Sequence, residues 1–473
     1  MRTWLHECTT QHSKCLITVA GERLDPTRMP QLPNRILEID DNKVWLRMTN
    51  GISGQYAALS HCWGRQQQLT TTTQTLQTRL DGIPFEVLPK TFQDAVTVVR
   101  NLGMHYLWID SLCIIQDDPL DWNAEAAKMG LVYSNAHLTI AATGASNGSK
   151  GCFIDRGHHP HPVRLRAYPG DDSDAAAMYA TLHPGDIDDV YESPLGKRAW
   201  ITQEWLLSRR AIHFTKSHLV WSCQETMQSE TGEKVVDELH IGALQKGLAH
   251  IIHKKDLLDS ENEFWFEFFM GWRQLIAQYS ERQLTYENDK LIALDGLIDQ
   301  IRVRTGLPCY HGLWAGRLEE QLLWHGKDIL RRPQNLSFVP SWSWASTMGP
   351  IQFDLWDPPQ PLSRTATVEG CKLTIKVPVR AVSDFGEPTR PNLLRFPLIS
   401  ISKERIGFAW LDEGIPPTSK AYCLAIARHT SGINIILAQS VHGQGMTFKR
   451  IGCGRVERFE WIEDAVAHEV YLV

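Results

Sequence analysis

Three short stretches carry the residues that could do chemistry. In Arg198-Ala-Trp-Ile-Thr-Gln-Glu-Trp-Leu-Leu-Ser-Arg209, Glu204 follows Trp200 by four residues. Positions i and i+4 share one helix face, so these two side chains can line one pocket. In Tyr106-Leu-Trp-Ile-Asp-Ser-Leu-Cys-Ile-Ile-Gln-Asp-Asp118, an apolar run ends at Asp110, with Cys113 just beyond. In Tyr56-Ala-Ala-Leu-Ser-His-Cys-Trp-Gly64, a second apolar run ends in Ser60, His61, Cys62, Trp63 and Gly64. A plain core needs no such polar groups at the ends of its strands. Carboxylates such as Glu204 and Asp110 can stabilise a positive centre and orient water. Trp63 or Trp200 can stack a ligand ring, Gly64 can admit a phosphate close to the backbone, and Arg198 can pair with it. His61 with Cys62 or Cys113 permits a thiol nucleophile. Neighbours on a strand face opposite ways, however, so His61 and Cys62 meet only across a bend. Structural roles stay open beside these: Glu204 as partner of Arg198, Arg209 or Arg210, Asp110 as a loop cap, Asp117 and Asp118 as helix starters, Trp108 and Trp122 as core.

A fourth cluster, Cys8-x-x-x-His12-x-x-Cys15, brings three soft ligands close together. A zinc site needs a fourth, and no pair with finger spacing follows. The expectation is therefore small residues packing a helix, and no metal.

The elements that position these groups alternate from residue 50 onward. Tyr56–Ser60, His105–Asp110 and His137–Thr143 read as buried strands. Between the first two, Phe92, Ala95, Val96, Val99 and Leu102 recur at helical spacing, with Thr91 and Asp94 as a capping box and Gly103 as the stop. Asp118-Pro119 reads as the start of a helix lined by Trp122, Ala126, Met129 and Tyr133. Residues 144–196 read as an irregular insertion. A helix of about ten residues from Lys197 then leads into Ala211–Phe214 and Leu219–Cys223. Strands alternating with helices predict an α/β unit with a mostly parallel sheet and flanking helices. The expected boundaries are a lead-in over 1–50, this unit over 51–230, a helical segment over 231–332 and a β-rich domain over 333–473. In the last, Lys372–Val377, Tyr422–Ala427 and Ile433–Leu437 predict a small antiparallel barrel or sandwich. Pro340-Ser-Trp-Ser-Trp-Ala-Ser346 reads as a strand with Trp342 and Trp344 on one face, an aromatic floor or a seal between segments.

Composition bounds the partners. The chain has 473 residues, 43% hydrophobic and 22% charged, with a net charge of −6. That is ordinary globular composition without the basic footprint of nucleic-acid binding. No apolar stretch approaches the ~20 residues of a membrane span, and the first residues lack the apolar core of a secretory signal. Ten scattered cysteines are expected to be reduced, in a cytoplasmic protein.

The three stretches together resemble the blocks of the fungal heterokaryon-incompatibility (HET) domain. The resemblance runs on through Tyr279–Thr285, Asp289–Leu294, Gly312–Trp314, Gln321–Trp324 and Pro340–Ser346, as in HET-only proteins. It implies a role in allorecognition and programmed cell death, or in secondary-metabolite clusters as an enzyme on a polyketide or terpenoid intermediate. HET domains in turn resemble TIR domains, some of which cleave NAD. Trp200-Ile-Thr-Gln-Glu204 is similar to the TIR pattern Trp-Cys-x-x-Glu, with Ile201 at the Cys position. The resemblance thus implies a TIR-like fold with Glu204 and Asp110 catalytic, and Ser60, His61, Trp63, Gly64, Cys113, Arg198 and Trp200 binding ligand. NAD would be a substrate, and no cofactor is required. A non-catalytic module that self-associates or binds a protein partner is the alternative.

Overall fold

The computed structural model describes all residues except 19, 26–27, 41–42, 65–68, 156–162, 166–177, 181–187, 231–262, 354–359 and 389–394. Contacts divide the chain into two compact units: Met1–Thr18 with Glu22–Asp237, and Val19–Gly21 with Glu238–Val473.

In the first unit, strands β1 (Arg35–Ile39), β2 (Lys43–Met48), β3 (Tyr56–Ser60), β4 (Ile83–Pro84), β5 (Tyr106–Ile109) and β6 (Leu138–Ala141) precede a ribbon of β7 (Val163–Leu165) and β8 (Met178–Ala180). Strands β9 (Arg210–Phe214), β10 (Leu219–Cys223) and β11 (Met227–Ser229) follow. Nine of them form one sheet in the order β11-β10-β9-β6-β3-β5-β1-β2-β4. Its four central strands, β9, β6, β3 and β5, run parallel, and antiparallel strands extend both edges. Every residue of β3, β6 and β9 is buried, as expected of parallel strands covered on both faces. Residues 35–48, read as lead-in, thus supply two of the sheet's strands. Their alternation of burial in β2 marks a strand with one wet face.

The helices of this unit are α1 (Arg2–Gln11), α2 (Leu76–Asp81), α3 (Lys90–Asn101), α4 (Asp110–Cys113), α5 (Pro119–Ala126), α6 (Met129–Asn135), α7 (Asp188–Tyr191) and α8 (Ile201–Leu207). In α3, Phe92, Ala95, Val96 and Val99 are buried as the spacing predicts, and Gly103 follows at φ 74°. The capping box is corrected: Pro89 stands at the N-cap, and Thr91 lies inside the helix. Asp94 instead accepts the backbone N–H groups of Cys152 and Phe153 at 2.8 and 3.1 Å. Asp118 does cap α5, accepting from the N–H groups of Leu120 and Asp121. The single helix expected after it is two, broken between Ala126 and Met129.

In the second unit, α9 (Glu263–Ser280) and α10 (Asp289–Thr305) are the long described helices. Within the segment expected to be helical over 231–332, Leu313–Trp324 is not a helix: short strands at Leu313–Trp314 and Trp324–Gly326 flank a single helical turn, Leu318–Gln321. Pro340–Ser346 is likewise no strand but a turn with a 3-10 segment at Trp344–Ser346. Trp342 and Trp344 are buried, their indole N–H groups donating to the carbonyls of Cys371 and Gly312. They are fixed packing, not an open aromatic floor. Strands Lys372–Val382, Ala421–His429, Gly432–Ser440, Thr447–Val456 and Ala467–Leu472 pair successively and close on themselves as a five-stranded barrel. All these pairings are antiparallel except that of the last two strands.

Beside this barrel lies a buried charge network. Arg450, 0% exposed, donates to both carboxylate oxygens of Asp412 at 3.3 Å and to the carbonyls of Leu322 and Trp324. Arg332 joins Asp412 at 2.7 Å. Removing one partner from such a pair strands the other charge in a dry interior, at a cost of ~3–5 kcal/mol. Asp412→Ala should therefore lower the urea midpoint of unfolding by that equivalent. A loss below ~1 kcal/mol, typical of a surface pair, would show that Arg450 does not depend on it.

Candidate active site at the carboxyl rim of the parallel strands

In an open α/β sheet, a crevice forms where connections leave neighbouring parallel strands in opposite directions. Here the chain leaves β3 through α2, the edge strand β4 and α3 to reach β5 on one side, whereas β6 connects to β9 on the other. The switch point therefore lies between the carboxyl ends of β3 and β6, where Ser60 pairs with Ala141.

Glu204 reaches that point. It lies on α8, in the connection from β6 to β9, and the Ser60 hydroxyl donates to its carboxylate at 2.5 Å. The side chain is buried, at 3% exposure for the residue. Burial raises its pKa above the ordinary 4.5, and the charge of Asp110 adds to the rise. The Arg198 charge, the Ser60 hydrogen bond and the nearby Tyr133 hydroxyl, which donates to the Leu59 carbonyl at 3.3 Å, oppose it. The Arg198 guanidinium is itself tied down by the carbonyl of His61.

Next to it, β5 delivers Asp110 as the first residue of α4. One oxygen accepts the Ser111 N–H at 2.7 Å, so the loop-capping role is real, and the other accepts the Trp63 indole N–H at 2.8 Å. The His61 ring lies 3.7 Å from Asp110 and packs edge-on against Phe92. Cys62 turns instead into a cluster with Ala141, Ile201 and Trp205, where burial lifts its thiol to about 11. His61 and Cys62 thus face apart, as the strand argument requires. Cys113 is wholly buried at the end of α4, its thiol raised to about 12 by desolvation, so it is set off from the rim as a poor thiolate.

The remaining residues have other surroundings. Trp200 begins α8 half-buried, its ring edge-on to Trp122 at 6.4 Å. Gly64 has φ 72°, and a Cβ there would meet the Asn147 Cβ at 2.5 Å. The approach of the 146–147 loop already accounts for glycine at this position. Trp108 is core, against Tyr133. Asp117 does not start the helix: it accepts the backbone N–H and hydroxyl of Thr73.

Residues 56–204 match the family model described as heterokaryon incompatibility protein (HET). The chain carries a HET domain. No curated protein and no solved structure matches the chain. The matched span of the HET domain opens with β3 and closes on Glu204, so the Ser60–Glu204 hydrogen bond joins its two ends.

Sequence reading missed two residues here. Tyr133, assigned only to a helix face, lies against Glu204. Gln203 is 1% exposed, and neither amide atom has a hydrogen-bond partner among the described residues. Tyr133 stands at helical spacing among apolar neighbours, so nothing local marks it, whereas Gln203, between Thr202 and Glu204, lay in a stretch already singled out.

The raised pKa of Glu204 fixes a pH dependence. Protonated Glu204 suits the folded chain, so its full stability holds below 4.5 and falls as pH rises through the raised folded value. Thermal midpoints of the wild type should therefore decline relative to Glu204→Gln as pH increases from about 4.5. A wild type that gains on the variant over that range would mean that Arg198, Ser60 and Tyr133 outweigh burial.

Proposed function

We propose that the HET domain acts on a nucleotide at this rim, cleaving NAD or a close relative in a cell-death or allorecognition response. The observation that carries the reading is the meeting of Ser60, Glu204, Asp110 and Arg198 at the switch point of a parallel sheet, where such folds take ligands. In the reaction, the bond from ribose C1′ to the nicotinamide nitrogen breaks and its electron pair leaves with nicotinamide. Water adds to C1′, giving ADP-ribose and a proton. Asp110, the more exposed carboxylate, is suited to orient that water and take its proton. Glu204, lodged beneath, places negative potential under the cationic centre in a dry setting where it counts most. The similarity of Trp200-Ile-Thr-Gln-Glu204 to the TIR pattern supports the same assignment.

A second reading draws on the burial of Glu204. A carboxylate at 3% exposure can serve as a structural lock, with the domain signalling by self-association. The large cavity found among the described residues, about 960 Å³, lies by Gln55, Asn135 and His137, at the opposite ends of β3 and β6. Among the described residues no helix is long and apolar enough to cross a membrane.

Incubating the purified chain with NAD, alone and as an enforced oligomer, separates the two. Hydrolysis predicts nicotinamide release that falls by about 10²-fold or more in Glu204→Gln and in Asp110→Asn. An enforced oligomer that releases none, yet kills when expressed in yeast, would decide for the signalling module.

A further inference from the structure

Outside the rim, one cluster has the composition and spacing of a metal site. Cys8 and His12 stand four residues apart where α1 ends, and Cys15 lies in the 3-10 turn Lys14–Leu16. The fold brings Cys223, the last residue of β10, to the same point. The three sulfurs and the imidazole nitrogen all lie within 4.8 Å of one another, and the Cys223 Sγ is 3.4 Å from the His12 Nδ1. A tetrahedral ion bonded at ~2.3 Å to sulfur and ~2.0 Å to nitrogen sets such a pair about 3.5 Å apart. We infer that Cys8, His12, Cys15 and Cys223 bind one structural zinc ion.

The surroundings suit an ion held by three thiolates. Three negative sulfurs leave a net charge of −1 around Zn²⁺, and the Arg210 Nε–H donates to the Cys8 sulfur at 3.2 Å. The Thr226 backbone N–H donates to the Cys223 sulfur at 3.4 Å, closing a tight turn around that ligand. The three cysteines are at most 7% exposed. A disulfide would use two of the thiols and leave a buried third beside the histidine, whereas a tetrahedral ion uses all four groups. Soft sulfur and imidazole donors in this geometry select zinc over magnesium or calcium. With every position filled by protein, no site is left for a substrate, so the role is structural. The ion would clamp the N-terminal helix to the β10–β11 turn, 211 residues away in sequence, where Trp4 also meets Trp221.

The test is elemental analysis of the full chain, purified under reducing conditions without chelator. The expected content is about one zinc per chain, lost in Cys223→Ser and kept in Cys371→Ser, which alters an exposed cysteine elsewhere. Should Cys223→Ser fail to fold, the wild type still decides. Titration with a mercurial should release the zinc to a chromogenic chelator, and Co²⁺ exchanged into the site should show the d–d and thiolate charge-transfer bands of a tetrahedral site. Wild-type protein that lacks zinc and gives no such cobalt bands would overturn the proposal. So would zinc retained in folded Cys223→Ser, or a disulfide within the trio found by alkylation without reductant.

Discussion

A carboxylate taken out of water is among the most expensive things a fold can contain, costing several kcal/mol unless other groups replace its solvent. Glu204 is such a group, and the arrangement around it follows from that cost. Ser60 must end β3 at the height where its hydroxyl reaches the carboxylate, and Tyr133 must arrive from α6. Arg198 must come near enough for its charge to count while the His61 carbonyl holds it in place. Three different connections of the sheet contribute, so none can shift register without uncovering an unpaired charge. The residual desolvation is why the pKa stays high despite these partners. Such a poised carboxyl suits either a reaction or a two-state signal, because a small change in its surroundings alters its protonation.

Topology explains why this happens at one place. The central strands are parallel, so their carboxyl ends lie along one rim. The reversal between the β3 and β6 connections opens that rim at a single point. The antiparallel strands on either side widen the sheet. β1 does contribute: Arg35, at its start, holds the Cys113 carbonyl and the Asp121 carboxylate and so fixes the segment that carries Asp110. The residues before the matched span are in this sense part of the site's support.

What the sequence made legible was local. Asp118-Pro119 marks a helix start because the cap bonds its own next two residues, and nothing distant can change that. The β3, β5 and β6 strands were readable because parallel strands bury both faces and so appear as short, mostly apolar runs. The α/β class and the residues at the strand ends followed. Non-local competition defeated the rest. Thr91 and Asp94 have capping-box spacing, but Asp94 is occupied by the Cys152–Phe153 turn, so the helix begins without it. Trp342 and Trp344 alternate like strand residues, yet their indoles bond carbonyls of separate segments and the chain turns to let them. Cys223 gives no sign of belonging with Cys8, His12 and Cys15, because strand pairing alone carries it there.

The order of residues after α8 links the two ends of the sheet. Glu204 sits on the last helix before β9, and Arg210, six residues on, opens that strand beside the Cys8 sulfur. Arg209, between them, donates to the carbonyls of Ser134, Asn135 and Ala136 at the end of α6, the helix that supplies Tyr133. A clamp on the cysteine cluster therefore restrains Arg210, and through Arg209 the same short segment restrains both helices that meet at Glu204. Holding a buried carboxylate within hydrogen-bond reach of Ser60 needs rigidity at both ends of α8, since a shift of 1 Å would break a 2.5 Å contact. The hydrogen bond to Ser60 secures one end. The cross-link of α1 to the β10–β11 turn secures the other, which gives a physical reason for a structural site so far in sequence from the rim.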